Sequence, residues 1–147
     1  MISNTAKYAI RAVLYLAVKF KDGEKIGIKQ ISEDLTIPAP FLAKILQNLS
    51  KHKMLDSTKG PHGGFSIGKN PYEISFLDIV EIIDGLDMFE ECVFGLKVCE
   101  KDETFRNLCP VHNTSRPVRD AFYSLFKEQI VGDVADKIKA NGKNVYI

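Results

Sequence analysis

Apolar residues recur at helical spacing through the first third of the chain. Between Thr5 and Phe20, Ile10, Val13, Leu14 and Ala17 fall on one face and predict a first helix. Ser3 or Thr5 is placed to cap its start, and Lys21-Asp22-Gly23 supplies its exit. Ile28 to Leu35 predicts a shorter amphipathic helix with Ile28, Ile31 and Leu35 inward. Thr36-Ile37-Pro38 stops it, because proline strains the residue before it and has no N–H to donate. Pro40 suits the first turn of a third helix, where an N–H would be unsatisfied anyway. That helix is expected to run to about Lys53, with Leu42, Ile45, Leu46 and Leu49 inward and Phe41, Lys44, Gln47, Asn48 and Lys51 outward.

The period then changes. Met54–Thr58 and Phe65–Ile67 read as short strands around the turn Lys59-Gly60-Pro61-His62-Gly63-Gly64. Two helices joined by a tight turn and followed by a hairpin is the order of a winged helix-turn-helix. Ser75 and Asp78 form a capping-box pattern that opens a helix ending at Gly85. Leu86 to Glu103 has no usable period and is expected to be a loop, and a loop that long is usually functional or disordered.

From Pro110 the pattern is helical again. Val111, Ser115, Val118, Phe122, Leu125 and Gln129 step by four and three, a seam suited to a second helix. Pro117 interrupts it, so either a kink or a late start capped by Ser115 is expected. A last short helix is predicted over Asp133–Lys139, before a polar tail. The fold class expected is mainly α with a small β-hairpin wing, a winged helix-turn-helix plus a long C-terminal helix. Residues 1–72 are expected to form the DNA-binding region, and 73–147 a linker helix, a cysteine-bearing loop and the long helix whose seam could pair with another.

Composition sharpens this division. The 147 residues carry a net charge of +1, which hides an asymmetry. Residues 1–70 hold 11 Lys/Arg against 5 Asp/Glu, and residues 71–147 hold 9 against 14. One half is suited to a polyanion and the other is not. No apolar run approaches the about 20 residues of a membrane helix, and the first residues lack a secretory apolar stretch. A cytoplasmic protein is expected.

In the basic half, the outer face of the third helix suits the major groove. Lys44 and Gln47 are candidates for base edges, Phe41 for a thymine methyl, and Lys51 for phosphate. An ordinary solvated helix face explains the same residues equally well. The hairpin shifts the balance, since Lys59 and His62 at a glycine-rich tip are suited to a narrow minor groove.

The acidic half holds all three cysteines. Six residues separate Cys92 from Cys99, nine separate Cys99 from Cys109, and Cys109-Pro-Val-His112 closes the set. Three thiolates and an imidazole can hold zinc or an iron–sulfur cluster, although these spacings are looser than those of zinc fingers. The alternative is buried, inert cysteines, as unpaired Cys is commonly buried. The odd count argues against a disulfide framework. Glu90, Glu91, Glu100, Asp102 and Glu103 would disfavour bare thiolates, a penalty that a bound cation reverses.

Three stretches carry a resemblance over nearly the whole chain: Lys7-Tyr8-Ala9-Ile10-Arg11, the wing Lys59-Gly60-Pro61-His62-Gly63-Gly64-Phe65, and Leu108-Cys109-Pro110-Val111-His112 followed by Val118-Arg119-Asp120-Ala121. The sequence resembles the winged-helix repressors typified by the iron–sulfur cluster regulator IscR, the nitric-oxide sensor NsrR and the cysteine-metabolism regulator CymR. The resemblance implies a homodimer with paired C-terminal helices, a double-stranded DNA operator and a 2Fe-2S cluster. Carried over by position, the cluster cysteines are Cys92, Cys99 and Cys109, and His112 matches the histidine ligand of IscR-like members. NsrR-like members take an N-terminal aspartate from the partner subunit, where this chain has Lys7.

The chain departs from the pattern in three places. The gaps around Cys99 are longer than in IscR-like members. Pro40, Phe41, Ala43 and Lys44 stand where those carry serine, an aromatic, glutamate and glutamine, so a different operator is expected. Lys59 replaces a usual arginine.

The DNA-contact set expected from these readings is Pro40, Phe41, Lys44, Gln47, Lys51, Lys59, Gly60, His62 and Gly63. The leading function is a homodimeric DNA-binding regulator that senses cluster, redox or nitric-oxide status. One alternative is a cluster-free regulator responding to a small metabolite or thiol oxidation. Another is a structural or interaction protein with a zinc site. No enzyme, membrane or small-molecule-substrate role is expected, because phosphate-cradling, nucleophile-elbow and His-Glu-x-x-His motifs are all missing.

Overall fold

The computed structural model describes residues 1–21, 24–96 and 109–142. Helix α1 spans Asn4–Val18 and is the central element. The cap is Ser3, whose Oγ accepts from the Ala6 N–H at 3.0 Å. Ala6, Ala9, Ala12, Val13, Leu14, Leu16 and Ala17 are buried along α1; the small residues let neighbouring helices approach closely. The exit expected at Lys21-Asp22-Gly23 lies partly outside the described residues.

Helix α2 spans Ile28–Leu35, with the bounds the pattern predicts. It ends where Thr36 adopts the left-handed conformation at φ 54°. Helix α3 spans Ala39–Lys51 with Pro40 in its first turn, ending slightly before the expected Lys53. Strands β1 (Leu55–Thr58) and β2 (Gly64–Ile67) pair antiparallel, with Leu55 opposite Ile67 and Thr58 opposite Gly64. Ile26 and Phe65 exchange both backbone hydrogen bonds at 2.9 Å, which ties the hairpin to the start of α2.

After a 3-10 turn at Pro71–Glu73, helix α4 spans Phe76–Asp84. The predicted capping box is formed: Ser75 Oγ accepts from the Asp78 N–H at 3.2 Å, and the Asp78 carboxylate accepts from the Ser75 N–H at 2.7 Å. Gly85 follows at φ 78°. The stretch expected to be a loop from Leu86 contains a short helix α5, Asp87–Glu90, and from residue 97 onward it lies outside the described residues.

Helix α6 spans His112–Glu128, so of the two outcomes expected at Pro117, a kink or a late start at Ser115, the late start is corrected. Pro117 is its sixth residue, so the missing N–H removes one bond near the helix start and the helix continues through it. Ser115 is no cap; its Oγ donates to the His112 carbonyl at 3.2 Å. Helix α7, Val131–Ala140, is longer than predicted and packs against α1 and the 3-10 turn. Most of the expected polar tail lies outside the described residues.

Two apolar clusters result. The larger joins α1, α2, α3, the hairpin and α7. The smaller gathers Ala6, Leu77, Val80, Phe89 and Phe126, so α1, α4, α5 and α6 meet there. This is a winged helix-turn-helix extended by α4 to α7.

Candidate nucleic-acid interface and cysteine site

Helix α3 buries Leu42, Ile45, Leu46 and Leu49, and this fixes which side chains remain outside. Pro40, Phe41, Lys44, Gln47 and Lys51 are exposed, as a DNA-facing helix requires. Asn48, expected beside them, turns instead toward α4, where Nδ2 donates to the Ile82 carbonyl at 3.4 Å. Phe41 packs edge-on against Tyr8 of α1, with centroids 5.7 Å apart and planes at 87°. The Arg11 guanidinium lies 5.8 Å from the Tyr8 centroid, and Nη2 donates to the Leu35 carbonyl at 2.7 Å.

The helix-turn-helix is pinned a second time. Tyr15 Oη donates to Asp34 Oδ2 at 2.5 Å, and Gln30 Nε2 lies 3.0 Å from both Asp34 oxygens. The bond from Tyr15 holds the Asp34 carboxyl below its usual range, while burial pushes the Tyr15 hydroxyl well above its own.

At the wing tip, Lys59, Gly60 and His62 are exposed and Gly63 is half-buried. Packing within the protein explains two of the glycines. A Cβ on Gly63 would fall 2.1 Å from the Thr58 carbonyl oxygen, and one on Gly64 would fall 2.4 Å from that of Ile26. Gly60, at φ 106° with open space around it, answers to turn geometry.

The cysteine half meets at the smaller apolar cluster. Phe89 of α5 packs against Phe122, Tyr123 and Phe126 of α6, with centroids 5.5 to 5.9 Å apart. Arg119 Nη1 donates to the Glu90 carbonyl at 2.9 Å, holding the C-terminal end of α5 against α6. Cys92 follows two residues later and is half-buried. Cys109, three residues ahead of α6, and His112, its first residue, are 5% and 8% exposed, and the His112 N–H donates to the Cys109 carbonyl at 3.3 Å. Cys99 lies outside the described residues. Among the described residues, no three His, Cys, Asp or Glu side chains come close enough to hold a metal ion. The donor types (thiols and an imidazole) suit iron–sulfur or zinc ligation, and a buried Cys–His pair on one turn is compatible with it.

The family model described as "Rrf2: Iron-dependent Transcriptional regulator" matches residues 2–137. The chain belongs to the Rrf2 family. A protein of Aquifex aeolicus named as an HTH-type transcriptional regulator is 34% identical over 134 residues, covering 91% of this chain and 90% of its own. The regulator IscR of Pectobacterium atrosepticum is 29% identical over 119 residues, covering 81% and 69%. The structure of CymR, the global cysteine regulator of B. subtilis, superimposes with a TM-score of 0.74 at 21% identity, covering 93% of this chain and 97% of its own.

An Rrf2 protein is a DNA-binding transcriptional regulator, not an enzyme, and no described helix is long and apolar enough to cross a membrane. In this Rrf2 chain the sequence pattern missed α5 and the contacts that Tyr8 and Arg11 make with α2 and α3. One signal was available: Phe122 and Phe126 are four residues apart on α6 and need an aromatic partner, which Phe89 supplies.

Proposed function

We propose that this Rrf2 member is a cytoplasmic homodimeric repressor that senses cluster, redox or nitric-oxide status through a 2Fe-2S cluster on Cys92, Cys99, Cys109 and His112. In this reading residues 1–72 bind the operator and residues 73–147 dimerise and sense. The observation that carries it is the buried Cys109–His112 pair at the start of α6, beyond the segment in which Cys92 follows α5.

The dimer part rests on α6. Val118 and Leu125 are seven residues apart and 69% and 51% exposed, while Phe122, Tyr123 and Phe126 of the same helix are covered by the smaller apolar cluster. Beside them a cavity of about 290 Å³ is lined by Val93, Phe94, Val111, Thr114, Ser115 and Val118. A second α6 packed along this stripe removes it from water.

When bound, the cluster supplies an iron centre that oxidants and nitric oxide can attack. Cys92 and Cys109 bracket the segment between α5 and α6, so a group held by both would tie the end of one helix to the start of the other. Without that tie, Phe89 would be held only by its apolar neighbours, in a cluster that includes Ala6 of α1. The two recognition helices of a dimer are then respaced on a two-fold operator.

An absorption spectrum with iron and zinc analysis of anaerobically prepared protein tests the cofactor. The proposal expects visible absorbance and about two irons per chain, lost in Cys109→Ser. A cluster-free regulator responding to a metabolite or to thiol oxidation is the second reading. Colourless, iron-free protein would support it, and stoichiometric zinc would instead support a zinc site.

A further inference from the structure

Within Lys7-Tyr8-Ala9-Ile10-Arg11, Ala9 is fully buried in the core of α1, whereas Tyr8 and Arg11 reach toward α2 and α3. Phe41 is the third residue of α3, at the helix end that leads into a groove, and is 40% exposed. The core side of α3 is Leu42, Ile45, Leu46 and Leu49, and Phe41 lies outside that set. Its ring meets the Tyr8 ring at 5.7 Å and nearly perpendicular.

Tyr8 has a second neighbour. The Arg11 guanidinium stands 5.8 Å from its centroid and donates to the carbonyl of Leu35, the last residue of α2. That carbonyl has no partner further along its own helix, because Thr36 leaves the helical conformation. Arg11 therefore satisfies a helix end and is itself immobilised. Tyr8 and Arg11 together join α1 to the end of α2 and the start of α3.

We propose that Tyr8 is a positioning residue for DNA sequence recognition, its ring holding Phe41 in the rotamer that meets a base. The inference rests on the reading of α3 as the major-groove helix. An exposed phenylalanine must otherwise be ordered on binding, which costs affinity. The base feature an aromatic ring recognises in the major groove is the thymine methyl, so the effect falls on one base pair per half-site.

The test is selection from a pool of duplexes with a randomised core, followed by affinity for the selected duplex and for a shuffled one. Tyr8→Phe keeps the ring and is expected to keep the wild-type ratio. Tyr8→Leu, and Tyr8→Met as a second variant, are expected to lower it about 2- to 10-fold, as an edge-on aromatic pair implies. The loss should be confined to one position per half-site, with the salt slope unchanged because phosphate contacts are intact. If Tyr8→Leu does not fold, Phe41→Leu alone and with Tyr8→Met gives the same reading: loss at the same position, no larger in the double variant. A wild-type ratio in Tyr8→Leu, or equal weakening on both duplexes, overturns the role of Tyr8 alone. A wild-type protein that selects no sequence contradicts the DNA-binding function itself, and this inference with it.

Discussion

Ser3 and Asp84 are joined twice: the Ser3 N–H and Oγ–H both donate to the Asp84 carboxylate, at 2.8 and 2.5 Å. Ser3 caps α1 and Asp84 is the last residue of α4, immediately before Gly85. An acid at a helix C-terminus opposes the dipole there, but this one also faces the positive start of α1. The link thus ties the first helix of the winged helix-turn-helix to the point where the chain turns toward the cysteines. Ser3→Ala removes the cap and one arm of the link, and should lower stability by about 1 kcal/mol in urea unfolding. Asp84→Asn, which still accepts one bond, should cost less.

Tyr15→Phe should destabilise the protein by about 1 kcal/mol near neutral pH, because it removes the bond to Asp34 that joins α1 to α2. The sign with pH follows from the shifts. Asp34 is lowered in the fold, so its contribution is present above the ordinary carboxylate pKa and is lost as pH falls through the folded value. Tyr15 is raised, so its contribution is present below the ordinary tyrosine pKa and is lost only in strong alkali. The gap in unfolding free energy between wild type and Tyr15→Phe should therefore close at acid pH. A gap that stays constant down to strongly acid pH would contradict this.

Gly64→Ala places a methyl group against the Ile26 backbone, 2.4 Å from its oxygen and 2.5 Å from its carbonyl carbon. Backbone cannot swing aside as a side chain can. A loss of about 1–3 kcal/mol is expected, read from the urea midpoint. Gly60→Ala meets no atom but must hold φ at 106°, so it should cost less, by strain alone.

The two lysines of α3 should separate by readout. Lys44→Ala is expected to relax preference at a base position, by about 1–3 kcal/mol. Lys51→Ala should weaken all duplexes alike and reduce the salt slope by about 1. Titrations of specific and shuffled duplexes at several salt concentrations distinguish them.

Much of the fold was legible because local chemistry decided it. Pro38 ended α2, Pro40 opened α3, and Ser75 with Asp78 capped α4, each within one turn of sequence. What escaped was set by long-range contacts. Helix α5 is four residues long, too short for a period, and exists because Phe89 is drawn into the aromatic cluster of α6. Pro117 was misleading because its cost falls on a single bond near a helix start. The wing was read as a glycine-rich tip suited to a groove, and the pattern did not show that Gly63 and Gly64 also make room for the Thr58 and Ile26 backbone. Of the cysteine set, the pattern named the residues, and burial singled out Cys109 and His112.

The central claim is that the cysteine segment governs DNA binding. Its most direct test is the affinity of anaerobically prepared protein, before and after removal of iron, for one selected duplex at fixed salt. The proposal predicts at least about a tenfold difference, which is an ordinary allosteric coupling of about 1.4 kcal/mol, abolished in Cys109→Ser. Equal affinity and equal sequence preference in the two states would contradict it.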